Sequence, residues 1–264
     1  MNAQETKMEI GLLAKTLGAL GVLASLLSAN VGQAAVEKSG RVLVVVSELD
    51  SRVAPELRGL YQIIEQLTQV TAGVTLGSEY AQVRVLKNSQ ATLANYAATL
   101  RALARNPSVQ AIDTILSVHG SAGSLLFAEG SQSMGALERA VLPAGMPTAE
   151  RATLRRKLRI MYNLSCFGQS HNRTFFDIGY DIVAGSKGVN ANAEVEFVPV
   201  LTNIRLGGRF VDGFAPSNND VALSVADAPL RLAGSLAQNA LRFTDSKKVF
   251  TGFAATRINT DARP

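Results

Sequence analysis

The sequence predicts an α/β protein, a three-layer α-β-α sandwich around a mostly parallel sheet. Three observations predict it. Arg41-Val42-Leu43-Val44-Val45-Val46 is a continuous valine-rich run, as expected of a strand covered on both faces. Further runs of this kind recur at Ile112 to Val118, Leu158 to Leu164 and Asp181 to Gly185. Between them lie stretches of helical periodicity, and strand–helix alternation builds parallel sheets through right-handed crossovers.

Each element follows from its residues. After the first run, Val53, Leu57, Leu60, Tyr61, Ile64 and Leu67 recur at helical spacing. Val83-Arg84-Val85-Leu86 is a short strand, and Leu93, Tyr96, Ala97, Leu100, Leu103 and Ala104 give a second helix, stopped by Asn106-Pro107. Gly120 to Gly145, rich in Gly and Ser between short apolar patches, reads as loop. Thr148 after Pro147 is placed to cap a helix from Ala149 to Lys157. From Leu206-Gly207-Gly208 onward a helix or two and a closing strand near Lys248 to Ile258 complete the chain. No internal repeat and no Pro-, Gly- or Ser-rich linker divides residues 35–264, so they read as one domain.

Residues 1–34 read as a signal peptide. Lys7 and Lys15 precede the uncharged stretch Thr16 to Ser28, and Gly32 and Ala34 supply the small residues before a cut. An uncleaved anchor is the competing reading, because Thr16 to Val36 carries no charge. The strongly apolar part runs only from Leu17 to Leu27, which favours cleavage, a secreted or periplasmic product and no stable membrane span.

Composition narrows the function. Hydrophobic residues make up 47% of the chain and charged residues 18%, values of a folded protein rather than a disordered one. The net charge is a modest +5, tryptophan is absent, and the densest basic run, Arg151 to Arg159, reads as a solvated helix face. Nucleic acid is therefore not an expected partner. Histidines number 2, too few with the other candidate ligands to suggest a metal site, and Gly185-Ser186-Lys187-Gly188 lacks the spacing of a phosphate loop. No cofactor is expected.

The chemistry-bearing residues are scarce and well placed. The chain has 1 cysteine, Cys166, and the histidines are His119 and His171. His119 closes the Ile112 to Val118 run and is followed by Gly120; Cys166 closes the Leu158 to Leu164 run. In open parallel sheets function gathers at the carboxyl ends of the strands. If these strands are neighbours, the imidazole and the thiol share one sheet edge. A thiol attacks as the thiolate, and a histidine close by lowers its pKa or takes the proton during attack. Gly120 and the N–H of Cys166 are candidate oxyanion donors. In an exported chain an unpaired cysteine is a hazard unless buried or useful. His171, five residues after Cys166, reads as a site-rim residue or as a turn residue at the start of a helix.

These motifs carry a resemblance. A hydrophobic strand ending in His-Gly, followed by one ending in a small residue and Cys, resembles the caspase-like cysteine peptidases: caspases, metacaspases, legumains, gingipains and clostripain. Here the motifs are Leu116-Ser117-Val118-His119-Gly120 and Asn163-Leu164-Ser165-Cys166-Phe167-Gly168, and Asp181 to Ser186 resembles the strand beside the cysteine strand that lines the S1 pocket. The resemblance spans roughly Arg41 to Asn219. It implies a peptide or protein substrate, a Cys166–His119 dyad, and an oxyanion hole at Gly120 and Cys166. It also implies substrate contacts among Leu164, Ser165, Asp181, Ser186 and Glu194. Metacaspases have an aspartate two residues before the cysteine that binds a basic P1 side chain. Leu164 stands there, so a basic preference is unsupported, and Asp181 and Glu194 remain as acidic candidates beside a mostly apolar pocket. A catalytically inactive scaffold of the same fold, kept open by Leu164, and another acyl transfer by the same dyad are the alternatives.

Overall fold

In a computed structural model, the structure describes residues 36–50, 53, 55–191 and 193–260; within these, the side chains of 56, 57, 60, 194 and 195 are left out. The signal-peptide reading falls on residues 1–34, outside the described ones. Ala35–Pro264 forms one compact unit.

Strand β1 is Arg41–Glu48, buried at every position, as the valine run requires. Helix α1 follows at Pro55–Leu76, then β2 at Gln82–Lys87, α2 at Leu93–Arg105 and β3 at Ala111–Ser121. Thr92 caps α2 by accepting the Asn95 N–H at 3.0 Å. The stretch expected to be loop holds three elements instead: β4 at Ser124–Phe127, β5 at Gly130–Ser133 and α3 at Met134–Val141. Four-residue strands carry too little alternation to be visible in sequence, and what forms them is pairing: β4 lies antiparallel on the end of β3. Helix α4, Thr148–Lys157, begins at Thr148 itself, with Pro147 rather than Thr148 in the cap position and no side-chain cap. Then come β6 at Leu158–Asn163, α5 at Gln169–Ile178, β7 at Ile182–Ser186, α6 at Ala193–Arg205, α7 at Asp220–Leu236 and β8 at Lys248–Gly252.

The main sheet runs β2-β1-β3-β6-β7-β8, parallel except for β8. Alternation along each strand feeds two cores. Val42, Val44 and Val46 of β1 join Ile112, Leu116 and Met161 under α2, α3 and α5. Leu43 and Val45 join Ile115, Ile160 and Tyr162 under α1 and α6, with Phe210 and Phe214 stacked edge-on against Tyr162. The three-layer α-β-α sandwich is the fold.

Two elements are placed differently from their sequence pattern. Helix α1 turns Glu65, Thr68, Ala72 and Leu76 inward and leaves Ile63, Leu67, Val70 and Val74 exposed; of the stripe read from sequence, Tyr61 and Ile64 are half-buried and Leu67 is exposed. Arg159 leaves the solvated basic run. With β6 starting at Leu158, Arg159 is a strand residue and is fully buried. It pairs with Asp113 of β3, whose carboxylate also accepts from Tyr80 Oη at 2.7 Å and from the Ile160 N–H at 3.0 Å. This network lies at the amino edge of the sheet. There Arg159 also reaches the Ile258 and Thr260 carbonyls, and the Val36 N–H donates to the Asn259 carbonyl at 3.0 Å.

Candidate active site

The strand register sets the geometry of the opposite, carboxyl edge. Leu116 of β3 pairs with Asn163 of β6, and the Leu164 N–H donates to the Leu116 carbonyl at 2.8 Å. His119 and Cys166 each lie three residues beyond that pair (116 to 119, 163 to 166). Neither is a strand's last residue, as the sequence suggested. Beyond Leu116, β3 leaves β6 and continues to Ser121 by pairing with β4, His119 opposite Leu126 and Gly120 opposite Leu125. β6 stops at Asn163, and Cys166 sits in the turn before α5.

That turn is tightly held. Phe167 takes the left-handed conformation (φ 56°), uncommon for a bulky residue, while its N–H donates to the Gly188 carbonyl at 2.7 Å. Ser165 is buried below the turn: its hydroxyl donates to Asn163 Oδ1 at 2.6 Å, and its carbonyl accepts from Ser186 Oγ at 3.2 Å. His171 belongs to this underside and not to a rim. It is fully buried, with Nε2 2.8 Å from the Ser121 carbonyl and Nδ1 3.2 Å from Asn163 Nδ2. A carbonyl can only accept, so Nε2 carries the proton and Nδ1 is the acceptor. Burial holds the His171 pKa below its ordinary value, which keeps the ring neutral.

His119 and Cys166 line one cavity of about 490 Å³. His119 Nε2 lies 2.7 Å from the Leu49 carbonyl, so by the same reasoning Nε2–H donates and Nδ1 is left as the basic nitrogen. The Tyr61 ring packs edge-on against the imidazole, centroids 5.1 Å apart. Leu49 is itself anchored, its N–H donating to Glu65 Oε1. Glu65 belongs to a group that sequence reading missed: ligand oxygens of Glu48, Asp50 and Glu65 lie within 4.8 Å of one another, the group with metal-ligating spacing among the described residues. Burial, with added repulsion from Asp50 and Glu48, pushes the Glu65 carboxyl up to about 7, against the pull of the Leu49 N–H. No sequence signal marked this group, because Glu48 and Asp50 flank the end of a strand and Glu65 comes from a helix 15 residues on.

Burial pushes the Cys166 thiol above its ordinary value, opposed by the Asn190 backbone N–H and the Lys248 ammonium. Lys248 lies buried beside Asn190, its Nζ 2.6 Å from Glu196 Oε1 and 2.8 Å from Asn190 Oδ1. The shift favours the protonated thiol, so nucleophilic attack by this sulfur would require a base.

The other expected site residues divide. Leu164 lines the cavity; Ser165 and Ser186 are buried beneath it. Asp181 is not brought to the cavity. It precedes β7 at the amino edge, where it is buried on the Arg159 side of the sheet. Strand β7 does lie beside β6, yet the cavity wall comes from the segment after it, Val189, Asn190 and Ala191. The Glu194 side chain is outside the described residues; its backbone opens α6. Among the described residues no helix is long and apolar enough to cross a membrane.

No family model and no curated protein matches the chain. Among solved structures it is similar to a secreted C11 cysteine protease from Bacteroides thetaiotaomicron, 13% identical with a TM-score of 0.40 over 70% of this chain. The match spans 64% of that protease's length. It is also similar to caspase-1 from Spodoptera frugiperda, 11% identical with a TM-score of 0.47 over 84% of this chain and 88% of that one. A third similar structure is the Drosophila initiator caspase Dronc, 11% identical with a TM-score of 0.49 over 87% of each chain.

Proposed function

We propose that this protein is an exported cysteine endopeptidase in which Cys166 attacks the carbonyl of a peptide bond and His119 handles the proton. The observation that carries the reading is that both side chains line one cavity, each three residues past the paired Leu116 and Asn163. The protonated thiol favours proton transfer to His119 Nδ1 during attack over a standing thiolate–imidazolium pair. The Leu49 carbonyl, accepting from Nε2–H, steadies the imidazolium that forms. The Sγ–C bond forms as the carbonyl becomes an oxyanion, which the N–H groups of Gly120 and Cys166 receive. Collapse expels the amine with the proton from Nδ1, leaving a thioester. Water then attacks the thioester with the same histidine as base, releasing the acid and restoring the thiol. Export rests on the basic start and apolar centre of residues 1–34.

Cys166→Ala and His119→Ala, each assayed against a diverse peptide library, test the dyad. Hydrolysis is expected to fall by a factor of about 10³ or more in both variants. Equal hydrolysis by wild type and both variants sinks the reading.

A further inference from the structure

We infer that the cavity beside Cys166 receives the side chain of the residue whose carbonyl is attacked, and that it selects an uncharged, apolar one. The inference rests on the peptidase reading and deepens it.

The carbonyl carbon under attack must lie at Sγ, so the side chain on the adjacent α-carbon meets the walls around Cys166. Those walls are the cavity, since Cys166 and His119 themselves line it. Its lining is aliphatic and aromatic, with Ile64 and Leu67 of α1, Leu164, Phe197, Val198 and Leu230. The polar lining residues, such as Thr68, Thr71 and Asn190, are uncharged, and no Asp, Glu, Lys or Arg lines the cavity among the described residues.

The neighbouring charges are engaged elsewhere. Lys248 and Glu196 are buried and neutralise each other at 2.6 Å, with Asn190 as a further partner of Nζ. Glu48, Asp50 and Glu65 cluster with one another and do not line the cavity. A guanidinium, ammonium or carboxylate entering here would lose its hydration and find no counter-charge on the lining among the described residues.

Helix α1 supplies an independent sign. It buries Glu65 and leaves Leu67 at the cavity, 54% exposed. Tyr61, Ile64 and Leu67, apolar side chains that the helix leaves outside the fully buried core, face the cavity that holds Cys166, and such a lining suits an apolar ligand. At about 490 Å³ the space admits leucine or phenylalanine alike, so charge rather than size discriminates.

The test uses the full protein and peptidyl acyloxymethyl ketones that differ only in the residue next to the warhead: Leu, Phe, Arg, Lys or Asp. Covalent labelling of Cys166 is followed by intact mass, with matching fluorogenic amides for kcat/KM. Leu and Phe are expected to exceed Arg, Lys and Asp by about 100-fold or more. A charged residue labelled or cleaved as fast as Leu overturns the inference while leaving the peptidase intact. No labelling and no cleavage with any residue, in protein that is folded by circular dichroism, overturns the peptidase reading and this inference with it. Ala191→Asp places a carboxylate on the cavity wall without emptying the core. The Arg-to-Leu ratio of rates should then rise by about 10-fold or more, and a folded variant with an unchanged ratio rules this cavity out as the selecting pocket.

Discussion

A methyl group on Gly120 would land 2.5 Å from the Cys166 carbonyl oxygen and 2.9 Å from Ser165 Cβ. Glycine therefore lets β3 lie against the turn that carries the thiol, and in the proposed mechanism its N–H is an oxyanion donor. Gly120→Ala must displace the Cys166 backbone, because the clash is with main chain. The expected result is a folded protein whose kcat/KM falls about 10²- to 10³-fold, measured on its best peptide alongside a thermal melt. Residues of this kind were only partly legible. Cys166 and His119 stood out because the chain offers a single thiol and two imidazoles. His171 did not resolve in sequence, since a polar residue early in a helix looks the same whether it faces solvent or, as here, a buried Ser121 carbonyl. Asp181 failed for a reason of direction: it precedes its strand, and the cavity lies beyond the other end.

Helix α1 joins the carboxylate cluster to the imidazole, because Glu65 holds the Leu49 N–H and the Leu49 carbonyl holds His119. The Glu65 carboxyl, ordinarily near 4.5, is raised to about 7 in the fold. A raised acid binds its proton more tightly when folded. Stability is therefore lost as pH rises from about 4.5 to about 7, and the full penalty stands above that. Glu65→Gln keeps an acceptor for Leu49 and removes the charge. Its melting temperature should exceed that of the wild type at pH 8, with the difference vanishing below about pH 5, as scanning calorimetry at the two pH values would show. Elements announced themselves where burial was two-sided: β1, β3, β6 and β7 are predominantly apolar runs. The β4–β5 hairpin was hidden because pairing, not pattern, makes it. The facing of α1 was hidden because the positions it buries include Glu65 and Thr68, while Leu67 of the expected stripe is exposed.

Across the whole molecule the sheet separates two kinds of chemistry. The carboxyl edge holds the cavity; the amino edge holds Asp113, Arg159 and Tyr80, which tie β3 and β6 to the last described turn of the chain. Removing one member strands a buried charge. Asp113→Ala should cost about 3–5 kcal/mol in a denaturant titration. Asp113 is six residues before His119 along the strand, roughly 20 Å away. The folded variant should therefore retain its kcat/KM at temperatures well below the melt. The sandwich itself was legible from the alternation of runs and periodicities, whereas this network was not. Arg159 reads as one more surface cation until Leu158 is known to begin a strand. The Val36 to Asn259 hydrogen bond completes that amino edge and brings the two ends of the described chain together there. A bead, chip or fusion partner joined at residue 36 or residue 260 would accordingly attach behind the sheet. Tethered through residue 36 or residue 260, residues 36–260 would present the cavity at the edge of the sheet opposite the attachment point.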